Sequence, residues 1–299
     1  MCLRLCDAVT GSWGKRFLAC AEARNRYAGR AMNAQLLFTL ALGFLFAVSP
    51  NTPAAELAPQ VTVNLGKGVK LEFVLIKPGT FVMGSGKRYG NTDEPAHEVT
   101  LTKPFYLGKF KVTQEQWEAL VGDNPSETKN RPNAEMRPVD NVSWEDIVKK
   151  FIPKLAEKMP KGLTPRLPRE AEWEYACRAG SRTLFCFGDN EVGLRDYGWY
   201  DKNSNWEAQP VGQKKPNAWG LYDMHGNMWE WCADWMGHYA EGKFTDPTGP
   251  AEGSLKVLHG GYAALSADRC RSSNRIGFAS TYRGRCGFRI AASLEVKDR

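Results

Sequence analysis

The sequence has few of the residue patterns that identify common metal and nucleophile sites. It contains four histidines, at positions 97, 225, 238 and 259, and none of them forms an HxH or HExxH motif. It contains eight cysteines but no CxxC pair, and no cysteine and histidine have the spacing of a zinc site. A histidine metal triad and a zinc site are therefore not expected.

The sequence also offers no convincing transmembrane segment. The apolar run Leu36–Val48 has thirteen residues, which is short for a bilayer span and typical of the core of a signal peptide. A buried helix is the alternative, but no amphipathic face or cap accompanies the run. We interpret residues 1–55 as a leader, with Met32 as an alternative start. We expect an exported protein, periplasmic or extracellular, whose mature form has no transmembrane span.

The formal net charge of +7 does not indicate nucleic-acid binding. Residues 1–31 hold six Arg or Lys and two acidic residues, so much of the excess belongs to the predicted leader. The remaining positive charges are scattered and form no basic helix. No nucleic-acid partner is expected.

Export bears on the cysteines, because three of the eight fall in the predicted leader. The other five are Cys177, Cys186, Cys232, Cys270 and Cys286. An odd number in an oxidising compartment leaves at least one thiol free or in an intermolecular bond. We expect Cys232 to lie near Cys270 as a disulfide pair, although the sequence does not fix the connectivity.

Mixed short elements are predicted before Gly180. Two apolar runs in Val69–Ser85, separated by Lys77–Thr80, are typical of a hairpin, and Thr100–Phe105 resembles a further short strand. Three helices are predicted from their first residues, which are Thr113 with Gln116, Ser143 with Asp146, and Pro168. Beyond Gly180 almost no helical period is present, although aromatic residues indicate a packed, irregular region.

The densest aromatic stretch is Trp219–Trp235, WGLYDMHGNMWEWCADW. Its composition is not typical of a regular helix or a half-buried strand, and its glycines allow tight turns. Asp223 and Glu230, with carbonyls of the turn between them, are ligands of the kind that calcium prefers. Two carboxylates that cap turns and accept backbone hydrogen bonds are the alternative.

These residues resemble the formylglycine-generating enzyme (sulfatase-modifying factor) family. The similarity runs from about residue 60 to 292 in several ordered motifs, which include FVMGS at Phe81–Ser85, RPVDNVSWEDI at Arg137–Ile147, RLPREAEWEYACRAG at Arg166–Gly180, GLYDMHGNMWEW at Gly220–Trp231, DPTGP at Asp246–Pro250, CRSSNR at Cys270–Arg275 and GFRIA at Gly287–Ala291. The domain is placed at residues 60–293, with a tail at 294–299. The resemblance implies an α+β, C-type-lectin-like fold: a small twisted antiparallel sheet, few helices and extensive ordered loops.

The resemblance also implies a calcium site and a copper site. Family members hold calcium at positions that match the side chains of Asp223 and Glu230 and the carbonyls of Gly226 and Met228. The formylglycine-producing members bind copper with two closely spaced cysteines and oxidise a substrate cysteine with oxygen. Here the corresponding segment, GYAALSADRC, contains no cysteine before Cys270. Calcium is therefore expected as the cofactor and copper is not, and Cys270 and Cys286 are weak candidates for a catalytic nucleophile.

The C-terminal segments resemble the region that family members in diversity-generating systems use as a variable binding face. The candidate ligand-face residues are His259, Tyr262, Ser266, Arg269, Asn274, Arg275, Tyr282, Arg283 and Arg285; an ordinary irregular loop is the alternative. We predict a binding or accessory protein with an unknown protein, peptide or glycan partner. The alternative is a divergent, oxygen-dependent oxidoreductase of the formylglycine-generating type that oxidises a cysteine of a sulfatase or another exported substrate.

Overall fold

Alternation of apolar and polar residues produces the first two strands. The computed structural model describes residues 57–86 and 94–295. Strand β1 (Gln60–Gly66) buries every second residue near its end, including Val63 and Leu65, and pairs antiparallel with β2 (Val69–Ile76). The turn between them has positive φ angles at 66, 67 and 68, where two of the three residues are glycine. The predicted leader at residues 1–55 and residues 296–299 of the predicted tail lie outside the described residues.

A five-stranded antiparallel sheet has the order β1, β2, β5, β14, β6. Strand β5 is Phe105–Gly108, β6 is Leu163–Arg166 and β14 is Ala291–Leu294. Strand β14 pairs with β5 on one side and with β6 on the other. The last described strand is therefore an interior strand of this sheet.

The predicted hairpin within Val69–Ser85 is wrong. Strand β2 already pairs with β1 on one edge and with β5 on the other, which leaves no edge for β3 (Gly79–Met83). Strand β3 instead pairs with β4 (His97–Leu101), which also pairs in parallel with β10 (Lys243–Thr245). The strand predicted at Thr100–Phe105 is the end of β4 and the start of β5, with a break between them.

The predicted helix starts are largely confirmed. Thr113 and Gln116 form a capping box at α1 (Gln114–Val121), and Ser143 and Asp146 form another at α2 (Trp144–Asp146). A π-helical turn (Ile147–Phe151) joins α2 to α3 (Ile152–Ala156). Helix α4 (Glu170–Arg178) begins two residues after Pro168, and Ala179, at φ 47°, ends it just before Gly180.

Short strands, rather than loops alone, organise the chain beyond Gly180. Among the described residues there, α5 (Leu194–Tyr197) is an α-helix of one turn. Besides β10 and β14, the strands there are β7 (Gly198–Trp199), β8 (His225–Gly226), β9 (Trp229–Trp235), β11 (Lys256–His259), β12 (Arg275–Phe278) and β13 (Cys286–Gly287). These six strands form a sheet in the order β12, β11, β9, β13 and a β7–β8 pair. An irregular backbone is expected in this aromatic stretch, but Trp229–Trp235 form the regular strand β9, so that expectation is wrong there. Most residues of β9 are buried on both faces.

Aromatic rings pack tightly between the sheets and helices. Trp117 of α1 stacks on Phe151 with ring centroids 5.6 Å apart, and Phe288 meets Phe151 edge-on at 5.1 Å. Trp173 of α4 stacks on His259 of β11 at 4.8 Å. Within the described part of the chain, no helix has the length and apolar character needed to cross a membrane. The fold is α+β, with few helices and mainly antiparallel sheets.

Candidate functional site

A buried ion cluster lies at the centre of the predicted calcium stretch. Glu230 of β9, Lys111 in the segment after β5, and Arg289 before β14 are all fully buried. The Arg289 Nε and Nη2 atoms donate to the two Glu230 oxygens at 2.6 and 3.0 Å, and the Lys111 Nζ donates to Oε1. The Trp173 indole N–H donates to Oε2 at 2.9 Å. Both oxygens of Glu230 are therefore bonded by protein groups.

Electrostatics keep Glu230 ionised in this cluster. Burial acts to raise the pKa of Glu230, but the adjacent Arg289 and Lys111 charges outweigh it and lower the pKa to about 2. Arg289 also donates to the carbonyls of Gly108 and Tyr222, at 2.8 and 3.0 Å. The cluster thus ties β9 to two distant segments.

Asp223 lies near this cluster in a different environment. Its Oδ2 accepts the Gly212 amide at 2.8 Å, while its Oδ1 is buried and has no hydrogen-bond partner. Burial raises the pKa of its carboxyl group. The Gly226 carbonyl accepts the Met228 amide at 2.9 Å. The four predicted calcium ligands are close in the chain, but the Lys111 ammonium is bonded to the Glu230 oxygen that an ion would need, so this donor set does not fit calcium as arranged.

The five described cysteines are all free thiols. Cys232 lies in β9 and packs with Trp173 and Met224, whereas Cys270 packs with Phe185, Leu194 and Tyr200 in another apolar cluster. The Cys232–Cys270 disulfide is not found in the structure. Burial raises the pKa of Cys270 to about 12. Burial and the nearby Asp140 also raise the pKa of Cys286, so neither nucleophile candidate is an activated thiolate.

Three cysteines surround His225, a grouping that the sequence does not indicate. The His225 Nδ1–H donates to the Cys270 carbonyl at 2.9 Å, and Nε2 accepts the Cys186 amide at 3.1 Å. The Cys177 sulfur lies 3.8 Å from Nε2. Burial lowers the pKa of His225 to about 4, so the ring is neutral near pH 7. Its neighbours come from three separate parts of the chain, which gives no spacing signal in the sequence.

The nine predicted ligand-face residues do not form one surface. His259, Asn274 and Arg275 are buried, and His259 and Arg275 both bond Glu170. Ser266 and Arg269 lie on an exposed turn with Asp268. Arg283 donates to Asp146 at 2.8 Å. Tyr262, Tyr282 and Arg285 belong to a third region, described next.

Three exposed side chains, Trp206, Tyr282 and Arg285, surround the buried Tyr262, and we call these four residues the aromatic face. The Arg285 guanidinium lies over the Tyr262 ring at 5.0 Å, and it lies within electrostatic range of Tyr282. The Tyr262 hydroxyl donates to the Trp206 carbonyl at 3.1 Å. Trp206 is 65% exposed, and its backbone φ of 63° is unusual for a bulky residue. No local sequence pattern distinguishes Trp206 from the other tryptophans.

A cavity of about 340 Å³ is lined by residues other than those of the aromatic face. Its wall is mainly apolar and aromatic and includes Met83, Trp235, Tyr239, Phe244, Pro247 and Pro250. Its polar residues include Glu170, whose carboxylate accepts hydrogen bonds from Tyr239 at 2.8 Å and Arg275 at 3.0 Å. Burial opposes ionisation of Glu170, but His259 and Arg275 lower its pKa below the usual value. The Glu170 carboxylate in this cavity is therefore held in place by hydrogen bonds within the protein.

Asp234 of the same cavity provides a pH-dependence prediction. Its Oδ2 accepts the Glu170 amide at 2.8 Å, and burial, reinforced by Glu170, raises its pKa from 3.8 to about 7. Between about pH 4 and 7, Asp234 therefore keeps its proton in the folded protein but has lost it in the unfolded chain. The stability contributed by Asp234 is full below about pH 4 and is lost as the pH rises through 7.

We expect Asp234→Asn to remove this loss. Relative to the wild type, its free energy of unfolding should rise by up to about 4 kcal/mol between pH 4 and pH 8. Urea titrations of both proteins across that range measure the difference. Parallel stability curves for the two proteins would show that Asp234 does not carry the raised pKa.

Residues 63–294 match the family described as the sulfatase-modifying factor enzyme 1-like domain. The chain belongs to this family. Chaperone protein LppX of Paenibacillus barcinonensis is 31% identical over 217 residues, covering 56% of this chain and 72% of that protein. The formylglycine-generating enzyme of Streptomyces coelicolor is 33% identical over 192 residues, covering 57% of this chain and 56% of the enzyme. The latter match thus spans little more than half of that enzyme.

A solved protein of similar structure supports the same conclusion about the fold. Treponema denticola variable protein 1 superposes with a TM-score of 0.73 at 30% identity, and the match covers 79% of this chain and 100% of that protein. The resemblance to the sulfatase-modifying factor family and the expected fold are therefore confirmed. The segment of this chain from Tyr262 to Arg269 contains no cysteine.

Proposed function

We propose that this chain is an exported binding or accessory member of the sulfatase-modifying factor family that recognises a protein, peptide or glycan through its aromatic face. The observation that carries the proposal is the backbone of Trp206. A non-glycine residue in such a conformation costs on the order of 1–3 kcal/mol, and such strain is concentrated at functional positions. The strain here presents a large indole to solvent.

Local hydrogen bonds hold Trp206 in this conformation. Its amide donates to the Ser204 Oγ at 3.1 Å, and the Ser204 hydroxyl donates to the Ala263 carbonyl at 2.6 Å. The Tyr262 hydroxyl fixes the Trp206 carbonyl from the other side. The loop is therefore ordered before any partner binds, which reduces the entropy lost on binding.

The composition of the aromatic face also supports recognition. Trp, Tyr and Arg are the residues most enriched at the energetically important positions of interfaces. Glu127 and Glu207 lie close enough to influence Tyr262, and Glu207 is paired with Arg131. Mixed charges around aromatic anchors suit a partner that combines apolar and polar groups.

Thiol chemistry is less well supported. A copper-dependent oxidase needs accessible soft ligands, whereas Cys270 and Cys286 are buried thiols with raised pKa values. The competing proposal is a divergent oxidoreductase acting on a cysteine of a sulfatase or another exported substrate. To test it, the protein is incubated with Cu(I), oxygen and a sulfatase-type cysteine peptide, and the mass of the peptide is measured. Conversion of the peptide's cysteine to an aldehyde would overturn the binding proposal.

Replacing Trp206 with glycine separates binding from stability. Glycine accepts a positive φ, so Trp206→Gly should not lower the melting temperature. We expect it to weaken binding by about 30-fold, equivalent to about 2 kcal/mol, because it removes the central anchor. Labelled wild-type and variant proteins are compared on glycan and peptide arrays, and affinities for the ligands found are then measured.

Val192→Ala is the matched control, since Val192 is also 65% exposed but lies elsewhere, in the short helical turn Glu191–Gly193. Arg285→Ala should weaken the same ligands as Trp206→Gly. If Trp206→Gly binds every ligand as tightly as Val192→Ala does, recognition does not use the aromatic face. A marked fall in melting temperature for Trp206→Gly would assign the indole a structural role instead.

A further inference from the structure

We propose that the ammonium group of Lys111 replaces a divalent cation in this chain. Lys111 Nζ donates to Glu230 Oε1 in a fully buried site, and Asp223 is close enough to stabilise the positive charge. Glu230 and Asp223 are the two carboxylates that the sequence pattern offers to calcium. The lysine thus supplies positive charge at the place where the pattern predicts an ion.

The formal charges of the cluster balance without a metal. Two acidic side chains, Asp223 and Glu230, face two basic side chains, Lys111 and Arg289, and all four are buried. Burial raises the pKa of Asp223 and lowers that of Lys111, so the acidic groups hold no surplus negative charge for a metal. Adding a calcium ion would place two uncompensated positive charges beside Arg289 and Lys111. Buried charge without compensation is strongly unfavourable, so the present arrangement disfavours calcium.

The turn between the carboxylates is held by hydrogen bonds within the protein. The Gly226 amide donates to the Gly260 carbonyl at 2.5 Å, and the Asn227 amide donates to the Trp199 carbonyl at 2.8 Å. The Asn227 side chain is bonded to Gln209 through both its oxygen and its nitrogen. The backbone that would ligate an ion is therefore ordered independently of one.

One oxygen in the site has no partner. Asp223 Oδ1 is buried and accepts no hydrogen bond from a protein group. If the Lys111 side chain is shortened to alanine, Glu230 loses one donor, and space and a net negative charge appear beside Asp223. Two carboxylates and nearby carbonyls are then the oxygen set that calcium prefers. Removal of Lys111 should create a calcium site that the wild type lacks.

The experiment uses the full chain as wild type, Lys111→Ala and Lys111→Ala/Glu230→Gln. Each protein is freed of metal with a chelator and titrated with calcium by calorimetry, and melting temperatures are recorded with chelator and with excess calcium. Terbium is a second probe, because Trp173, which bonds Glu230 at 2.9 Å, can sensitise its emission. We expect one calcium per chain and a calcium-dependent rise in melting temperature for Lys111→Ala alone.

Three results would overturn the proposal. One is a calcium-dependent melting temperature in the wild type that Asp223→Asn abolishes, because calcium would then bind beside the lysine. Another is a folded Lys111→Ala that binds neither calcium nor terbium. The third is a Lys111→Ala whose folding calcium does not restore, since calcium would then not replace the ammonium. If Lys111→Ala folds only with calcium, the proposal is supported.

Discussion

Glu230→Gln is expected to lower the free energy of unfolding by about 3–5 kcal/mol. The substitution keeps the shape of the side chain but removes the carboxylate that both Lys111 and Arg289 bond, and losing one partner is the costly way to break a buried ion pair. Domains of ordinary stability have about 5–15 kcal/mol in total, so a large share would be lost. Urea denaturation monitored by tryptophan fluorescence measures the change.

Glu191→Gln is the control for this prediction. Glu191 pairs with Lys202 at 3.7 Å, and both side chains are more than half exposed, so no measurable change is expected. Equal denaturation midpoints for Glu230→Gln and Glu191→Gln would show that the buried cluster does not stabilise the fold. A changed m value would instead indicate a change in the unfolded state or a loss of two-state unfolding.

Gly226→Ala should be the second strongly destabilising change. Gly226 has a φ of 86°, and an added Cβ would lie 2.1 Å from the Trp199 carbonyl oxygen. A left-handed alanine costs about 1–2 kcal/mol, and displacing packed backbone adds about 1–3 kcal/mol. The β7–β8 pair should separate locally. Hydrogen exchange should then accelerate at the Asn227 amide, which donates to the same Trp199 carbonyl.

Gly220→Ala separates the two contributions. Gly220 has a similar φ of 81°, but nothing lies within 4 Å of its added Cβ. Only the conformational cost of about 1–2 kcal/mol is therefore expected. If Gly226→Ala is no more destabilising than Gly220→Ala, the close approach of Trp199 is not a constraint on the turn.

Local signals allowed the helix starts to be predicted, because each is decided within four residues. Thr113 and Gln116 satisfy each other's backbone at α1, and Ser143 and Asp146 do so at α2. Pairing of β2 was not predictable in this way. Its partners are fixed by competition for two edges, and β5 begins far from the hairpin turn that the local sequence suggested.

The candidate site shows the same limit more strongly. Asp223 and Glu230 were found because a recognisable motif contains both. Lys111 lies 119 residues from Glu230 and reads in the sequence as one more exposed positive charge in KFKVT. Likewise, no local pattern could show that Trp206 adopts a positive φ, since that conformation depends on Tyr262 and Ser204. The family resemblance predicted the fold, whereas these contacts required the structure.

The position of β14 has a consequence for how the chain acquires its structure. Because Ala291–Leu294 form an interior strand between β5 and β6, the five-stranded sheet cannot close while those residues are still inside the ribosome. Strand pairing between residues near 105 and 291 also has a high sequence separation, which slows folding. In a nascent chain of this kind the sheet stays open until synthesis has passed β14, which gives chaperones time to engage it.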